Sequence, residues 1–219
     1  VIGDFRASED YMPYFRSLCQ SENTISGNLY VSVLGGNTAN TEFEFLTGNT
    51  MAFLPTGSIP YQQYIAQELP SLPQLLKDYG YSTVGIHPYI SDGWRRDEVY
   101  PLLGFEDSIF RNEFRSADTL RGYITDEAAF DKVIETYEEL DDKGPFFTFL
   151  VTMQNHGGYS QDWDDFERTV KVEGMDVPRA EAYLTLIKET DNALKDLISY
   201  FEQCDEKTVI LMFGDHQPN

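Results

Sequence analysis

Residues 72–87 carry the sequence LPQLLKDYGYSTVGIH, and this stretch indicates the class of the fold. Residues 72–79 have the apolar spacing of a short helix, which Gly80 ends. Residues 82–87 (STVGIH) are then typical of a buried strand, because they are short, apolar and rich in β-branched side chains. A helix that leads directly into a buried strand is typical of α/β proteins.

The same alternation continues along the chain. Three further segments have the composition of buried strands, namely 28–34 (NLYVSVL), 146–153 (FFTFLVTM) and 207–213 (KTVILMF). Residues 125–140 and 179–201 have apolar side chains at helical spacing. Since apolar strands of this kind are covered by helices on both faces, we predict a three-layer α/β fold with a mostly parallel sheet. A length of 219 residues favours a single domain, 1–219.

The composition excludes several classes of function. The chain has 16 Lys and Arg against 37 Asp and Glu, a net charge of −21, which excludes a basic surface for nucleic acid and argues against unaided binding to anionic lipid. No apolar run is long enough for a transmembrane helix. The chain begins at Val1 without a signal peptide, so we expect a domain cut from a longer precursor. Cys19 and Cys204 could form one bridge or stay free thiols.

Polar residues follow each predicted strand, at positions that share one edge of a parallel sheet. Thr38 follows the first strand and lies near the predicted start of a helix, where free backbone N–H groups favour an anion. Its hydroxyl is a candidate nucleophile if a cation activates it. A threonine that only caps the helix is the alternative.

The second and third strands are followed by groups that suit a phosphate ester. His87, Trp94, Arg95 and Arg96 lie within ten residues, and a guanidinium offers phosphate a bidentate fork while an indole offers a flat apolar wall. A surface loop with Trp94 packed into the core is the alternative. His156 precedes two glycines that let a substrate approach closely, although a hydrogen-bonded loop histidine is also compatible.

Asp215 and His216 follow the last predicted strand. A carboxylate beside an imidazole suits Mn²⁺ or Zn²⁺, and Mg²⁺ is compatible, whereas a plain turn is the alternative. Because four strand ends carry such residues at once, we favour a shared metal-dependent site for phosphoryl transfer.

Four motifs occur in a fixed order, namely GGNTANTEFEFLTG (35–48), HPYISDGWRRDEVY (87–100), TMQNHGGY (152–159) and FGDHQPN (213–219). In their order and strand context they resemble the extracellular catalytic domain of the lipoteichoic acid synthase family. These enzymes are phosphoglycerol transferases of the alkaline phosphatase and sulfatase superfamily. The resemblance covers nearly the whole chain and implies an alkaline phosphatase/sulfatase-like fold.

The resemblance implies a nucleophile and a metal site. Thr38 matches the family's nucleophilic threonine, which also ligates the metal, and Asp215 and His216 match its metal-binding pair. The implied metal is Mn²⁺, with Mg²⁺ or Zn²⁺ as alternatives. The family's remaining ligand is a Glu at the end of the first core strand, before the region that begins at Val1. We therefore expect a fold incomplete at both ends, lacking the first core strand and the C-terminal part.

The resemblance also implies contacts to substrate. Trp94, Arg96 and His156 match residues that contact the phosphoglycerol head group, and His87 matches a further active-site histidine. The family often has an acidic residue two positions beyond that histidine, where this chain has Tyr89. This departure leaves the head group and the acceptor open, although Asp92 lies nearby.

The implied reaction is a transfer through a phosphothreonine intermediate. Thr38 takes glycerol phosphate from phosphatidylglycerol, an anionic phospholipid, and passes it to a polyglycerol-phosphate or glycan acceptor, while Arg96 and His156 hold the phosphate oxygens. The implied location is the extracellular face of a bacterial cell membrane, with tethering by membrane helices that precede this region. The alternatives are a phosphodiesterase or sulfatase, although Cys19 lies in CQSEN rather than a sulfatase C/S-x-P-x-R motif, and a catalytically incompetent fragment. Phosphoethanolamine transferases fit less well, because two cysteines do not match their disulfide-rich exteriors.

Overall fold

The computed structural model describes residues 5–140 and 144–218. Its α-helices are, in chain order, α1 (Pro13–Leu18), α2 (Thr38–Thr47), α3 (Pro60–Gln63), α4 (Leu72–Asp78), α5 (Arg96–Leu102), α6 (Asp126–Leu140) and α7 (Pro178–Phe201). Its strands are β1 (Ser82–His87), β2 (Asp107–Phe110), β3 (Thr119–Leu120), β4 (Tyr123–Ile124) and β5 (Phe146–Leu150). Short 3₁₀ helices occur at Met51–Phe53, Gly93–Arg95 and Arg111–Glu113.

The described residues divide into two compact units. One, called here the sheet unit, takes the described residues within Leu29–Arg115, Glu135–Val151 and Leu211–Asn219. The other, called the α7 unit, takes those within Val1–Asn28, Ser116–Ile134 and Thr152–Ile210. Each unit has its own apolar core, so each is described by itself.

The sheet unit is built on a parallel sheet with the strand order β2-β1-β5. In this register His87 lies beside Phe110, and Ile86 lies beside Leu150. Because all three strands run in the same direction, their carboxyl ends meet at one edge of the sheet. The predicted α/β class with a parallel sheet is confirmed, and His87 lies at the edge where the functional residues were expected.

Local sequence explains how the chain enters β1. Ser71 caps α4, because its hydroxyl accepts a hydrogen bond from the backbone N–H of Gln74 at 3.2 Å. After α4, Gly80 takes a left-handed conformation with φ +84°, which ends the helix as the sequence predicted. Three residues later β1 is buried, from Thr83 to its last residue.

Aromatic side chains fill the core of the sheet unit. The ring of Tyr100 lies 5.0 Å from that of Phe105, and the ring of Phe105 lies 6.2 Å from that of Phe149. Gly85 of β1 lies under Tyr100, and a Cβ atom at Gly85 would come within 2.6 Å of the Tyr100 ring. The absence of a side chain at Gly85 therefore lets the Tyr100 ring pack directly onto the strand.

Two of the predicted strands are wrong. Residues 28–34 and 207–213 have no regular secondary structure, and no described residue pairs with either segment in a strand ladder. Their apolar side chains are largely exposed, including Tyr30 and Leu34 at 90% and Val209 at 93%. The apolar, β-branched composition favours a strand, but a strand also needs a neighbouring backbone to bond with, and composition does not specify that neighbour.

The α7 unit packs a long helix against loops. Its core includes Tyr159, Ala182 and Leu186, and β3 and β4 form a short antiparallel hairpin. The predicted helices 125–140 and 179–201 are confirmed as α6 and α7, each within one residue of the expected bounds. None of the helices in the described ranges is long and apolar enough to cross a membrane. Cys19 and Cys204 are free thiols.

Candidate active site

Thr38 is the first residue of α2, after a sharp backbone turn. Gly35, Gly36 and Asn37 have φ values of +54°, +102° and +60°, so three successive residues lie in the left-handed region before the helix begins. Asn37 occupies the N-cap position and makes no side-chain cap. Thr38 is therefore not the residue that caps α2, so the alternative of a purely capping threonine does not apply. Its side chain is half-buried and lies in the first turn of α2.

Asp215 and His216 lie beside the same helix. The hydroxyl of Thr41 donates a hydrogen bond to the backbone oxygen of Asp215 at 2.7 Å. The carboxylate of Asp215 in turn lies 3.3 Å from Nε2 of His216. The first turn of α2 and the Asp-His pair therefore meet within the sheet unit.

The donors at this place suit a divalent cation but are incomplete. A threonine hydroxyl, a carboxylate and an imidazole are ligand types that Mn²⁺ accepts. Within residues 5–140 and 144–218, however, no three His, Cys, Asp or Glu side chains converge into a metal-binding group. The described side chains of Thr38, Asp215 and His216 therefore need at least one further ligand to hold a metal ion.

His87 is held in one protonation state by two hydrogen bonds. Its Nδ1 donates to the backbone oxygen of Val151 at 2.8 Å, since a carbonyl oxygen can only accept. Its Nε2 then accepts from Nη1 of Arg96 at 3.2 Å. Burial, with the nearby charge of Arg96 as a further cause, lowers the pKa of His87 from 6.5 to about 4. His87 is therefore a neutral imidazole at pH 7.

Arg96 is enclosed by the protein, with an exposed fraction of 2%. Its Nε donates to Oε2 of Glu42 at 3.2 Å, Nη2 pairs with Oε1 of Glu42, and Nη1 donates to His87 and to the backbone oxygen of Gly93 at 3.1 Å. Burial alone would lower the pKa of Arg96, but Glu42 outweighs it and holds that pKa above its usual range. Four of the five guanidinium N–H groups therefore have partners inside the sheet unit.

Trp94 lies in a strained part of the same loop. Trp94 and Arg95 both have left-handed backbones, with φ of 60° and 59°, which is uncommon for such large residues. The Trp94 ring packs against the aromatic core, as the alternative interpretation of the sequence expected. It is only half-buried, so part of the side chain still faces solvent. Tyr89, at the position where the family often has an acid, presents its ring edge-on to His87 at 6.2 Å.

His156 lies in the α7 unit, on a loop that the β3–β4 hairpin holds. Nη2 of Arg121 donates to the backbone oxygens of Gln154 and His156, each at 2.8 Å. The hydroxyl of Tyr123 lies within hydrogen-bond distance, 3.0 Å, of Nδ1 of His156. The hairpin therefore fixes both the backbone and the ring of the exposed His156.

The structure thus brings most of the predicted residues into one unit. The sheet unit contains Thr38, His87, Trp94, Arg96, Asp215 and His216, whereas His156 belongs to the α7 unit. Sequence reasoning missed Glu42, Tyr100, Arg121 and Tyr123. For Glu42 a signal existed, because a carboxylate four residues after Thr38 lies on the same face of a helix. For Arg121 and Tyr123 no sequence pattern pointed to His156.

Comparison with known proteins identifies relatives of the whole stretch. A family model described as Sulfatase matches residues 2–219. A putative cyclic beta-1,2-glucan modification protein of Rhizobium meliloti is 40% identical over 220 residues, covering 97% of this chain and 33% of that protein. The chain therefore spans about a third of the length of this curated relative.

Solved structures share the fold. The phosphoglycerol transferase GacH of Streptococcus pyogenes matches with a TM-score of 0.77 and 20% identity, over 93% of this chain and 54% of that chain. The lipoteichoic acid synthase LtaP of Listeria monocytogenes matches with a TM-score of 0.76 and 22% identity, over 88% and 46% respectively. At these identities the likeness concerns the fold, and it agrees with the parallel α/β architecture described above.

Proposed function

The chain belongs to the sulfatase family, and from that premise we propose that it carries the nucleophile of a phosphoglycerol transferase. The proposed reaction moves glycerol phosphate from phosphatidylglycerol to a polyglycerol-phosphate or glycan acceptor. The observation that carries the proposal is the meeting of the first turn of α2, which begins at Thr38, with the segment of Asp215 and His216. The folds shared with a phosphoglycerol transferase and a lipoteichoic acid synthase support it.

The proposed transfer has two steps at Thr38. In the first, the Thr38 oxygen forms a bond to phosphorus, and the bond from phosphorus to the diacylglycerol oxygen breaks. Diacylglycerol leaves as an alcohol with the proton that Thr38 gives up. In the second step the oxygen of an acceptor hydroxyl forms a bond to phosphorus, and the bond from phosphorus to the Thr38 oxygen breaks. Thr38 recovers the proton that the acceptor hydroxyl gives up. The first turn of α2 favours the anionic phosphate, because its backbone N–H groups point toward the helix start.

The other predicted residues are proposed to bind and orient the substrate. In the sheet unit, Trp94 offers an aromatic surface to the head group, and Arg96 supports the site with a positive charge. In the α7 unit, His156 is a separate candidate for contact with substrate. His87 is neutral and its Nε2 already accepts from Arg96, so we assign it an orienting role rather than that of a base. Arg96 keeps at most one N–H group for a phosphate oxygen, because the other four have protein partners.

Members of this superfamily generally use divalent metals, and we propose Mn²⁺ here, with Mg²⁺ or Zn²⁺ as alternatives. When bound, the metal would supply positive charge to the threonine hydroxyl and to the phosphate. Thr38, Asp215 and His216 are the residues of this chain proposed to hold it, with at least one further ligand. Calorimetric titration with Mn²⁺ tests this assignment, and no binding would favour the alternative of a catalytically incompetent fragment.

A glycan is the acceptor that we favour. The relative at 40% identity is named for modification of a cyclic glucan, which fits a sugar hydroxyl as the final acceptor. We further propose that the chain acts at the extracellular face of a bacterial cell membrane. The proposed donor lipid is present in that membrane. The net charge of −21 gives the chain no electrostatic attraction of its own for anionic lipid.

Supplying an acceptor separates transfer from hydrolysis. The purified protein is incubated with phosphatidylglycerol, Mn²⁺ and excess glycerol, and the products are identified by mass spectrometry. The proposal predicts that glycerophosphoglycerol forms. Free glycerol phosphate as the sole product would instead indicate the runner-up function, a phosphodiesterase of the same superfamily.

A further inference from the structure

Glu42 lies at the centre of the buried polar contacts in the sheet unit. It is on α2, four residues after Thr38, and its exposed fraction is 3%. Its carboxylate accepts hydrogen bonds from Nε and Nη2 of Arg96, and Oε2 also accepts from the hydroxyl of Tyr100 at 3.1 Å. A buried carboxylate with three donors is held firmly in place.

The contacts of Glu42 fix the orientation of Arg96. A carboxylate that engages two nitrogens of one guanidinium sets the plane of that group, because the guanidinium is rigid and planar. With Nε and Nη2 directed to Glu42, Nη1 is left facing Nε2 of His87 and the backbone oxygen of Gly93. The position of the guanidinium next to His87 therefore depends on the carboxylate of Glu42.

Arg96 and the backbone oxygen of Val151 together determine the state of His87. With Nε2 accepting from Arg96 and Nδ1 donating to Val151, only the tautomer with the proton on Nδ1 satisfies both partners. Glu42 therefore acts on His87 indirectly, through Arg96. The three side chains connect helix α2 to the end of β1.

We propose that Glu42 is a positioning residue of the active site, which orients Arg96 and through it holds His87 in a single tautomer beside the nucleophile helix. The expected effect of Glu42 on catalysis rests on the proposed function. Its effect on the orientation of Arg96 and the tautomer of His87 does not depend on any reaction. Glu42 itself needs no contact with substrate. Its negative charge also compensates the buried guanidinium, so the ion pair connects α2 to the start of α5.

Imidazole nitrogen NMR tests the structural part without a substrate. The chain has three histidines, so replacing His156 and His216 with Gln in turn assigns the signals of His87. In the wild-type protein at pH 7 we expect His87 to give one tautomer, protonated on Nδ1. In Glu42→Gln we expect the signals of both ring nitrogens to move toward each other, because the guanidinium no longer holds Nε2 and the two tautomers exchange.

Kinetics test the catalytic part. We expect Glu42→Gln to lower kcat at least tenfold while KM changes less, and Glu42→Asp, which keeps the charge on a shorter side chain, to recover part of kcat and part of the single-tautomer spectrum. Glu44→Gln is the matched control, since Glu44 is on the same helix but bonds to Ser32 and Met51 rather than to Arg96. It should keep wild-type spectra and kcat.

Two results are decisive. Unchanged His87 signals in Glu42→Gln, or in Glu42→Asp if the first variant does not fold, would overturn the proposal. Altered signals in a protein whose wild type transfers no glycerol phosphate would support the structural role of Glu42 and count against the proposed function alone. Altered signals with unchanged kcat would overturn the catalytic part.

Discussion

Nη1 of Arg96 donates a hydrogen bond to Nε2 of His87 over 3.2 Å. Both groups are almost completely buried, with exposed fractions of 2%. A protonated imidazole would place a second positive charge against the guanidinium in a region with little water. The pair is therefore compatible only with a neutral His87, and this fact shapes the pH dependence of the protein.

The stability contributed by neutral His87 is expected to fall in acid. The unfolded chain protonates this histidine near pH 6.5, whereas burial and Arg96 keep the folded pKa at about 4. The contribution is therefore fully present above pH 6.5 and is lost as the pH falls toward 4, by about 3 kcal/mol at most. Urea unfolding of the wild type and His87→Gln at several pH values measures it.

Comparison of the two proteins at each pH isolates this effect. Asp126 has its pKa raised to about 6 by burial, so it changes stability in the opposite direction over part of the same range. Because Asp126 is present in both proteins, its contribution cancels in the difference. If the wild type and His87→Gln lose stability in parallel between pH 6.5 and 4, His87 is not held neutral as described.

Gly85→Ala is expected to destabilise the sheet unit. The added methyl group would lie 2.6 Å and 2.8 Å from two ring atoms of Tyr100, which is fully buried. Overpacking of this kind costs about 1–3 kcal/mol. Gly27→Ala serves as the control, because nothing lies within 4 Å of the added atom. Equal unfolding free energies for the two variants would show that the Tyr100 ring is not packed against β1.

Tyr123→Phe is expected to weaken substrate binding more than stability. The change removes the hydroxyl that lies 3.0 Å from Nδ1 of His156 and leaves the ring in place. If His156 contacts the head group, loss of one exposed hydrogen bond should raise KM for phosphatidylglycerol about two- to fivefold. Tyr79→Phe, at a largely exposed tyrosine, is the control. An unchanged KM in Tyr123→Phe would show that the hydrogen bond from Tyr123 to His156 does not contribute to substrate binding.

The sequence predicted the elements whose signal is local. Strand β1 was predicted with its observed bounds, because a glycine stop and a short apolar run together define it. Helices α6 and α7 were predicted from the spacing of their apolar residues, which is also a local signal. The two failed strands, 28–34 and 207–213, have the same local composition as β1. Unlike β1, they have no described strand to pair with, and no local pattern records that difference.

The sequence predicted candidate residues for the site but not the contacts among them. Positions after predicted strands pointed to Thr38, His87 and Asp215, since a parallel sheet gathers strand ends at one edge. Of these three residues only His87 ends a strand in the described part of the chain. The contact between Glu42 and Arg96 joins residues that are 54 positions apart, and the sequence offers no rule that pairs them. Arg96 was therefore expected to face a phosphate, whereas the structure shows that most of its donors are occupied by the protein.

Detection of a covalent intermediate at Thr38 tests whether this threonine is the nucleophile. The protein is mixed with phosphatidylglycerol and Mn²⁺, quenched in acid and digested, and the peptides are examined by mass spectrometry, with Thr38→Ala and Thr38→Ser treated alongside. We expect one phosphoglycerol group on the peptide that contains Thr38. We also expect loss of the adduct and of turnover in Thr38→Ala, and an adduct on the serine of Thr38→Ser. An adduct on another residue, or full turnover by Thr38→Ala, would contradict it.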